Sequence, residues 1–475
     1  MIGRVAYGGL FTVALPLALV AWSMRLSTLL PAWPIPGDAW RPVGALLLVA
    51  GLLLTAWSMG ILWRVGRGLP MNAYPPPTLV EAGPYRLLPH PIYVGFALAC
   101  FGIAMLARSP GGLWVVAPSA TLAALALGAG HETPDLRRRF GRAPRTLLGG
   151  VGRGAAAALQ PAWQALLRVA ERIANSWKEW RIGPVRTINH GLYAGAAAAL
   201  GVGIVVALLG TAQRWDVVVV ALASLIGAAA WGQYWVGSAT LLRPFGYFGS
   251  VLAILLVVPG LALAGRSWVD LWALAAAAST AAPWVQCVGR LRCLVQGCCH
   301  GAPIDVGMVG SDREQAGERV AAPSTAGIVY RHPRSRVCWV SGLAGVALHP
   351  TPVYSMAANV PIGILLAILW WRQAPTSLIL GTYLMLEGSA RFVEESRRGE
   401  VTTPVRSGLR LYQWFAAGIL LVGALVTCAA SPPAPLGAAV AWPALAVTAG
   451  LVGLVHWLAM GVDLPGSHRR FGRLV

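Results

Sequence analysis

The sequence predicts an all-α, polytopic membrane protein of about twelve transmembrane helices. Three observations predict it. Of the 475 residues, 57% are hydrophobic and 11% charged, where a soluble domain carries about 25% charged residues. Apolar runs of about 20 residues, the length that crosses a hydrocarbon core, recur along the chain. The net charge of +20 is almost all arginine, Lys178 being the single lysine, and it gathers between the runs. Such charge belongs to cytoplasmic loops and anionic head groups, so no nucleic-acid partner is expected. The seven cysteines form no paired framework and read as free thiols.

In order, four runs occupy roughly 5–30, 43–65, 91–109 and 111–130. The first is too long for a signal-peptide core and reads as an uncleaved helix. Residues 131–189 then hold eleven basic residues against four acidic. Within them Leu159, Trp163, Leu166, Leu167, Ala170, Ile173, Trp177 and Trp180 recur at helical spacing between Arg168, Arg172 and Lys178. That pattern predicts an amphipathic helix in the head-group plane over 155–180. Seven further runs lie near 190–209, 217–236, 245–264, 269–288, 352–371, 376–394 and 408–428. A last run at 437–459 precedes a basic tail (His468, Arg469, Arg470, Arg473). The organisation is therefore 4 + 7 + 1 helices with one long polar head loop, 302–348. The expected domains are 1–145, a basic linker 146–181, a seven-helix domain 182–428, and an extra helix with tail, 429–475. The arginine-rich loops alternate with poor ones, so the positive-inside rule places both termini in the cytoplasm.

Between the second and third runs lies Glu81-Ala-Gly-Pro-Tyr-Arg-Leu-Leu-Pro-His-Pro-Ile-Tyr-Val-Gly95. Gly83-Pro84 signals a turn, and Pro91 can open the next helix. Glu132 follows the fourth run at the membrane edge, and Phe140-Gly141 comes after it. On these residues the first half, about 40–145, resembles the isoprenylcysteine carboxyl and phospholipid methyltransferases of membranes. The resemblance implies a cytosolic S-adenosylmethionine pocket, carried by position onto His90, Pro91, Tyr93, Gly95 and Glu132. Pro89 stands where that group has Arg, His131 where it has Glu, and Pro144 where it has Tyr.

The chain is organised around Gly289–Gly301, GRLRCLVQGCCHG. Arg290 and Arg292 offer planar forks suited to phosphate. Gly297 and Gly301 permit sharp turns or close approach to a ligand, and Cys298, Cys299 and His300 bring nucleophiles and a base. A basic interfacial turn is the alternative reading. Farther on, Glu387, Arg391 and Glu395 stand four apart and share one helical face. Ionisable residues in a membrane helix tend to face a polar interior. Arg391 is thus either held in an ion-pair ladder or held while its fork takes a phosphate.

Four landmarks follow in order: Ile182-Gly-Pro; the Gly-Arg-x-x-Cys-x-x-x-Gly opening at Gly289; His349-Pro-Thr-Pro-Val-Tyr354; and Arg391-Phe-Val-Glu-Glu395-Ser-Arg-Arg398. On these, about 182–428 resembles prolipoprotein diacylglyceryl transferase. The resemblance implies transfer of a diacylglyceryl group from phosphatidylglycerol, an anionic phospholipid, to an acceptor thiol in the bacterial inner membrane, with no cofactor. By position it assigns Arg290, Gly297, Gly301, Arg391, Glu395 and Arg398 to the lipid-binding and catalytic core, and His349 and Tyr354 to the entry of the fifth helix; Glu387 joins the substrate-binding candidates through its face shared with Arg391. Tyr247-Phe248-Gly249 replaces the family's His-Gly-Gly, Cys293 its Asn, Cys298 its acidic residue, and His190 a Tyr. His300 is the candidate for the missing base, and Cys298 or Cys299 for a covalent nucleophile. Buried inert thiols beside a turn are an equal alternative, and a metal site on Cys298, Cys299, His300 and His332 a weaker one that is not adopted, since the spacing fits no standard zinc pattern.

The resemblance places lipoprotein chemistry on the outer face, whereas the arginine count places the same loops inside. Two alternatives stay open beside the transferase reading. One is a cytosolic-face enzyme that modifies a small acceptor and methylates the product. The other is a non-catalytic lipid-binding protein.

Overall fold

The computed structural model describes residues 8–68, 75–142, 146–236, 247–304, 327–399 and 403–463. The basic tail, Pro144, residues 305–326 of the head loop, and the side chains of Tyr247 and Phe248 fall outside that description. Among the described residues, eight helices are long and apolar enough to cross a membrane: Leu10–Leu29, Asp38–Arg64, Gly112–Phe140, His190–Leu209, Thr211–Gly232, Trp268–Gln296, Thr351–Trp371 and Trp442–Gly461. Pro91–Leu106, Gly249–Leu263 and Leu411–Thr427 are apolar but shorter. The helix Thr376–Ser396 is long enough, but its second half carries Glu387, Arg391, Glu394 and Glu395. Each expected run thus coincides with a helix, and the chain is a multi-pass, all-α membrane protein. The described strands are short and antiparallel: Val185–Ile188 lies between Glu179–Ile182 and Val462–Asp463, and the rest form two-stranded pairs.

Two compact units divide the chain. The first takes 1–161, 384–396 and 404–430, so it includes two segments from the later half of the sequence. Its tightest packing is between Asp38–Arg64 and Pro91–Leu106. Glycines seven residues apart on each helix meet there: a Cβ on Gly51 would lie 2.5 Å from the Gly95 carbonyl, and one on Gly102 2.7 Å from that of Gly44. Small residues let membrane helices approach closely where lipid supplies no hydrophobic drive. Ser109 Oγ bonds Ser23 (2.6 Å) and Ser27 (2.7 Å) and accepts from the Gly112 amide. Gln413 Nε2 donates to the carbonyls of Gly130 (3.0 Å) and Phe392 (3.2 Å), joining three segments of the unit.

The second unit takes 162–383, 397–403 and 431–475. Trp442–Gly461 packs on His190–Leu209 through facing glycines, a Cβ on Gly195 falling 2.7 Å from the Gly453 carbonyl. The last helix therefore belongs to this unit's packing. On the other side of the unit, Thr351–Trp371 meets Trp268–Gln296, with Gly363 against the Trp284 indole.

The linker departs from expectation. Its helix, Leu147–Ala174, ends before Trp177 and Trp180, and Trp180 lies in the strand Glu179–Ile182. Asn175 and Ser176 end it, because their side chains bond nearby backbone: Asn175 Nδ2 reaches the carbonyls of Glu171 and Val329, and Ser176 Oγ that of Ile173. Nor does lipid cover most of its apolar face. Leu167, Ala170 and Ala174 form one core with Leu294, Ile328, Tyr330, Val337, Leu348 and Val353. Trp163 packs on that core and stacks on Tyr354, with ring centroids 6.0 Å apart. Leu159 and Leu166 remain exposed.

Candidate functional site

In the second unit the site is built at the end of Trp268–Gln296. Arg290 and Arg292 occupy its last turns and are buried. Arg290 Nε donates to Ser355 Oγ at 2.9 Å, which fixes its guanidinium against Thr351–Trp371. Gly297 stops the helix with φ +70°, and its amide bonds the Cys293 carbonyl. That left-handed position favours glycine. A Cβ there would also meet Val337 Cγ2 at 2.8 Å. The chain then turns so that Cys298 and Cys299 come back beside Cys293. The three sulfurs lie within 4.8 Å of one another, with Cys298 Sγ 3.8 Å from Cys299 Sγ.

Backbone pairing draws the remaining residues around this turn. The Gly399 amide donates to the His300 carbonyl, the Ala302 amide to that of Arg397, and the His349 amide to that of Ala302. Gly301 bridges Arg398, and a side chain at Gly301 would collide with the backbone of His349. Thr351 Oγ1 donates to the Cys299 carbonyl at 2.6 Å. His349 Nδ1 bonds the Tyr354 hydroxyl at 3.2 Å. Arg290, Gly297, Cys298, Cys299, His300, Gly301, His349, Tyr354 and Arg398 are thus gathered within one unit.

Charge follows from this arrangement. Hydrogen bonds from the Cys293 and Cys298 thiols hold Cys299 well below the ordinary thiol range, and the charges of Arg398 and Arg290 act the same way against burial. Cys298 is pushed the other way, by hydrogen bonding to its two neighbours and by burial. Burial, before any other cause, lowers His300. His300 Nδ1 donates to the Gly301 carbonyl at 2.9 Å, so neutral Nε2 is the acceptor facing Ser341 Oγ, also at 2.9 Å. Both ring nitrogens are engaged.

In the first unit, Arg391 is clamped. Its Nη1 lies 3.1 and 3.0 Å from the two Glu394 oxygens, and Nη2 2.9 Å from Glu395 Oε1, all three residues being buried. Glu387 is buried on the same helix. The four-residue spacing picked out Glu395 and passed over Glu394, although the i, i+3 position shares the face.

A third cluster, also in the first unit, joins His90, Tyr93 and Glu132. His90 Nδ1 lies 2.8 Å from Glu132 Oε2 and His90 Nε2 3.1 Å from Thr133 Oγ1. The Tyr93 hydroxyl donates to Glu132 Oε1. Burial and Glu132 together push the Tyr85 phenol up. These residues border a cavity of about 160 Å³, with Pro91, Pro89, His131, Asp135 and Arg139 also in its wall. Gly95 packs against Gly51 and Thr55 instead. The acidic wall suits a sulfonium cation, and Arg139 a carboxylate. The volume falls below the roughly 300 Å³ at which small-molecule pockets begin.

A family model for prolipoprotein diacylglyceryl transferase matches residues 180–429, more than half of the chain. The chain belongs to the prolipoprotein diacylglyceryl transferase family. A second model, for phospholipid methyltransferase, matches residues 40–143. No curated protein matches the chain. Both families are transferases, so the chain is a transferase with a methyltransferase-like first half.

Within a diacylglyceryl transferase domain, sequence reasoning missed Cys293 as a partner of the later thiols, and Ser341, Ser355 and Glu394 altogether. The signal for Cys293 was available. One helical turn followed by a glycine stop returns the chain on itself, so Cys-x-x-x-x-Cys-Cys across Gly297 brings three thiols together. Ser341 and Ser355 carry no such pattern.

Proposed function

We propose that the chain transfers a diacylglyceryl group from phosphatidylglycerol to an acceptor thiol. One observation carries the reading: buried Arg290 is fixed by Ser355 at the end of the helix that leads into the Cys298–Gly301 turn, and the backbone of buried Arg398 bridges Gly301. The acceptor thiol gives its proton to solvent, its sulfur displaces phosphate oxygen at the glyceryl carbon to form the thioether, and glycerol phosphate leaves with an added negative charge. Preorganised cations aimed at developing charge are a large source of rate acceleration. In this reading Arg290 and Arg398 bind the phosphate, while Gly297 and Gly301 let the backbone come close. His349 and Tyr354 border the lipid. His300, with both nitrogens engaged, is a positioning residue. Arg391, Glu387 and Glu395 hold the helix that leads to Arg398. The acceptor is a lipobox peptide or a small thiol, and the membrane is the bacterial inner membrane with both termini in the cytoplasm.

The test is glycerol phosphate release from labelled phosphatidylglycerol in membranes holding the protein, with a cysteine-bearing lipobox peptide. The expected result is thioether product that Arg290→Ala reduces at least a hundredfold, the scale on which one oxyanion donor acts. Full activity in Arg290→Ala would overturn the assignment.

A second reading applies to the first unit and rests on the Glu132 cluster together with the match over 40–143. It is methylation of a lipid or lipidated product by S-adenosylmethionine, with Glu132 against the sulfonium and His90, Pro91 and Tyr93 around it. Gly95 serves by fixing the helix. Labelled S-adenosylmethionine that leaves no labelled lipid would remove this step.

A further inference from the structure

The three-thiol turn is not explained by phosphate binding, and a lipid-transfer site needs no sulfur of its own. We propose that Cys293, Cys298 and Cys299 bind one zinc ion, whose fourth coordination position takes the acceptor thiol. The argument is geometric. Two thiolates about 2.3 Å from one tetrahedral ion lie about 3.8 Å apart, and Cys298 and Cys299 stand at 3.8 Å. All three sulfurs are within 4.8 Å of one another, so shifts of about an ångström or less complete the three-sulfur face. Three protein ligands with an open fourth position characterise catalytic rather than structural zinc.

The surroundings agree. A zinc ion with three thiolates carries a net charge of −1, and binding a fourth thiolate makes it −2. Buried Arg290, on the helix that carries Cys293, and buried Arg398, whose backbone bridges Gly301, supply compensating charge. His300 does not compete for the fourth position, because its nitrogens are engaged by Gly301 and Ser341. His332 is likewise turned away, stacked on Trp177 with Nδ1 accepting from the Arg334 amide. Cys293 and Cys299 are only partly buried, which leaves an approach for the acceptor. The ligand set therefore differs from the Cys298, Cys299, His300 and His332 set that the sequence offered.

The site answers a chemical need. The sequence shows no histidine at 247–249 to serve as the family's base, and a thiol coordinated to zinc is deprotonated outright. The acceptor sulfur would lose its proton to solvent on binding the metal. It would then attack the glyceryl carbon as a metal-held thiolate, while the carbon–oxygen bond breaks and its electron pair leaves with the phosphate. That the fourth ligand is an acceptor thiol rests on the transfer reading, whereas the metal site stands on its own geometry.

The experiment uses the full chain purified in detergent. Elemental analysis should find one zinc per chain, falling at least tenfold in Cys293→Ser, Cys298→Ser and Cys299→Ser and staying unchanged in Cys100→Ser. Exchange for cobalt should give thiolate-to-metal charge-transfer absorption and tetrahedral d–d bands, and N-acetylcysteine should shift those bands. The metal content of the unmutated protein decides the matter even where a serine variant fails to fold. Metal-free protein, copper in place of zinc, or a disulfide among the three cysteines would overturn the proposal. Zinc with cobalt bands indifferent to N-acetylcysteine would overturn the open position. A zinc site that answers to thiol in a protein yielding no thioether would uphold this inference and sink the transfer reading.

Discussion

Replacing Arg391 separates a structural clamp from a substrate ligand. The guanidinium lies between Glu394 and Glu395, all buried, with contacts of 2.9–3.1 Å. Removing one partner of a buried ion pair costs about 3–5 kcal/mol, because the charges left behind have lost their compensation. Arg391→Met keeps most of the side-chain volume and leaves two buried carboxylates facing each other. For a unit of this size that cost lowers Tm by roughly 6–20 °C. The triple replacement Arg391→Met, Glu394→Gln, Glu395→Leu removes the mismatch and should recover most of the loss, since apolar substitutes for a buried ion network are often neutral or stabilising. The assay is tryptophan fluorescence of detergent-solubilised protein during heating, beside glycerol phosphate release in membranes. If Arg391→Met melts like the parent but releases no glycerol phosphate, the fork belongs to the substrate and the clamp argument fails.

Three glycine replacements test backbone and packing, and one carboxylate replacement tests the first unit's cluster. Gly297→Ala places a side chain at φ +70°, which costs about 1–2 kcal/mol, and drives its Cβ to 2.8 Å from Val337 Cγ2; a melting curve identical to the parent's would contradict it. Gly95→Ala forces a Cβ to 2.7 Å from the Gly51 carbonyl and should cost about 1–3 kcal/mol as overpacking. Gly60→Ala, with nothing within 4 Å of its Cβ, should instead gain about 0.5–1 kcal/mol from helix propensity; equal effects in the two would refute the packing account. Glu132→Gln removes the carboxylate that holds His90 and Tyr93 and should weaken binding of labelled S-adenosylmethionine at least tenfold, a result that unchanged binding would reverse.

The helices were legible because a membrane imposes one requirement, length with low charge, and apolar runs report it directly. Even the helix bearing Glu387, Arg391 and Glu395 was placed. The linker was legible only in part. Helical periodicity recorded that Trp163, Leu167 and Ala170 share a face, but periodicity is blind to what covers the face, and the cover came from Leu294 and Tyr330, over a hundred residues away. Its end at Ala174 depends on Asn175 reaching Val329, a contact with no local signature. The candidate pair Arg290 and Arg292 was legible beside the glycines and thiols of Gly289–Gly301. Their setting was not, because backbone pairing of 300–302 with 397–399 and His349 joins segments that the sequence keeps apart.

The arginine count also changes meaning once the side chains are placed. The positive-inside rule weighs arginines as loop charges at the membrane surface, and on that weighing the segments around Gly289 and Arg391 look cytoplasmic. Arg290, Arg292, Arg391 and Arg398 are buried. Arg391 has its carboxylates, and Arg290 and Arg398 their place beside Cys299. Arg186 is also buried and pairs with Glu179. Ion pairing accounts for Arg391 and Arg186, with no topological role required of them. Exposed arginines carry the orientation signal that remains, and a dense group of them is Arg137, Arg138, Arg139 and Arg142, just after Glu132.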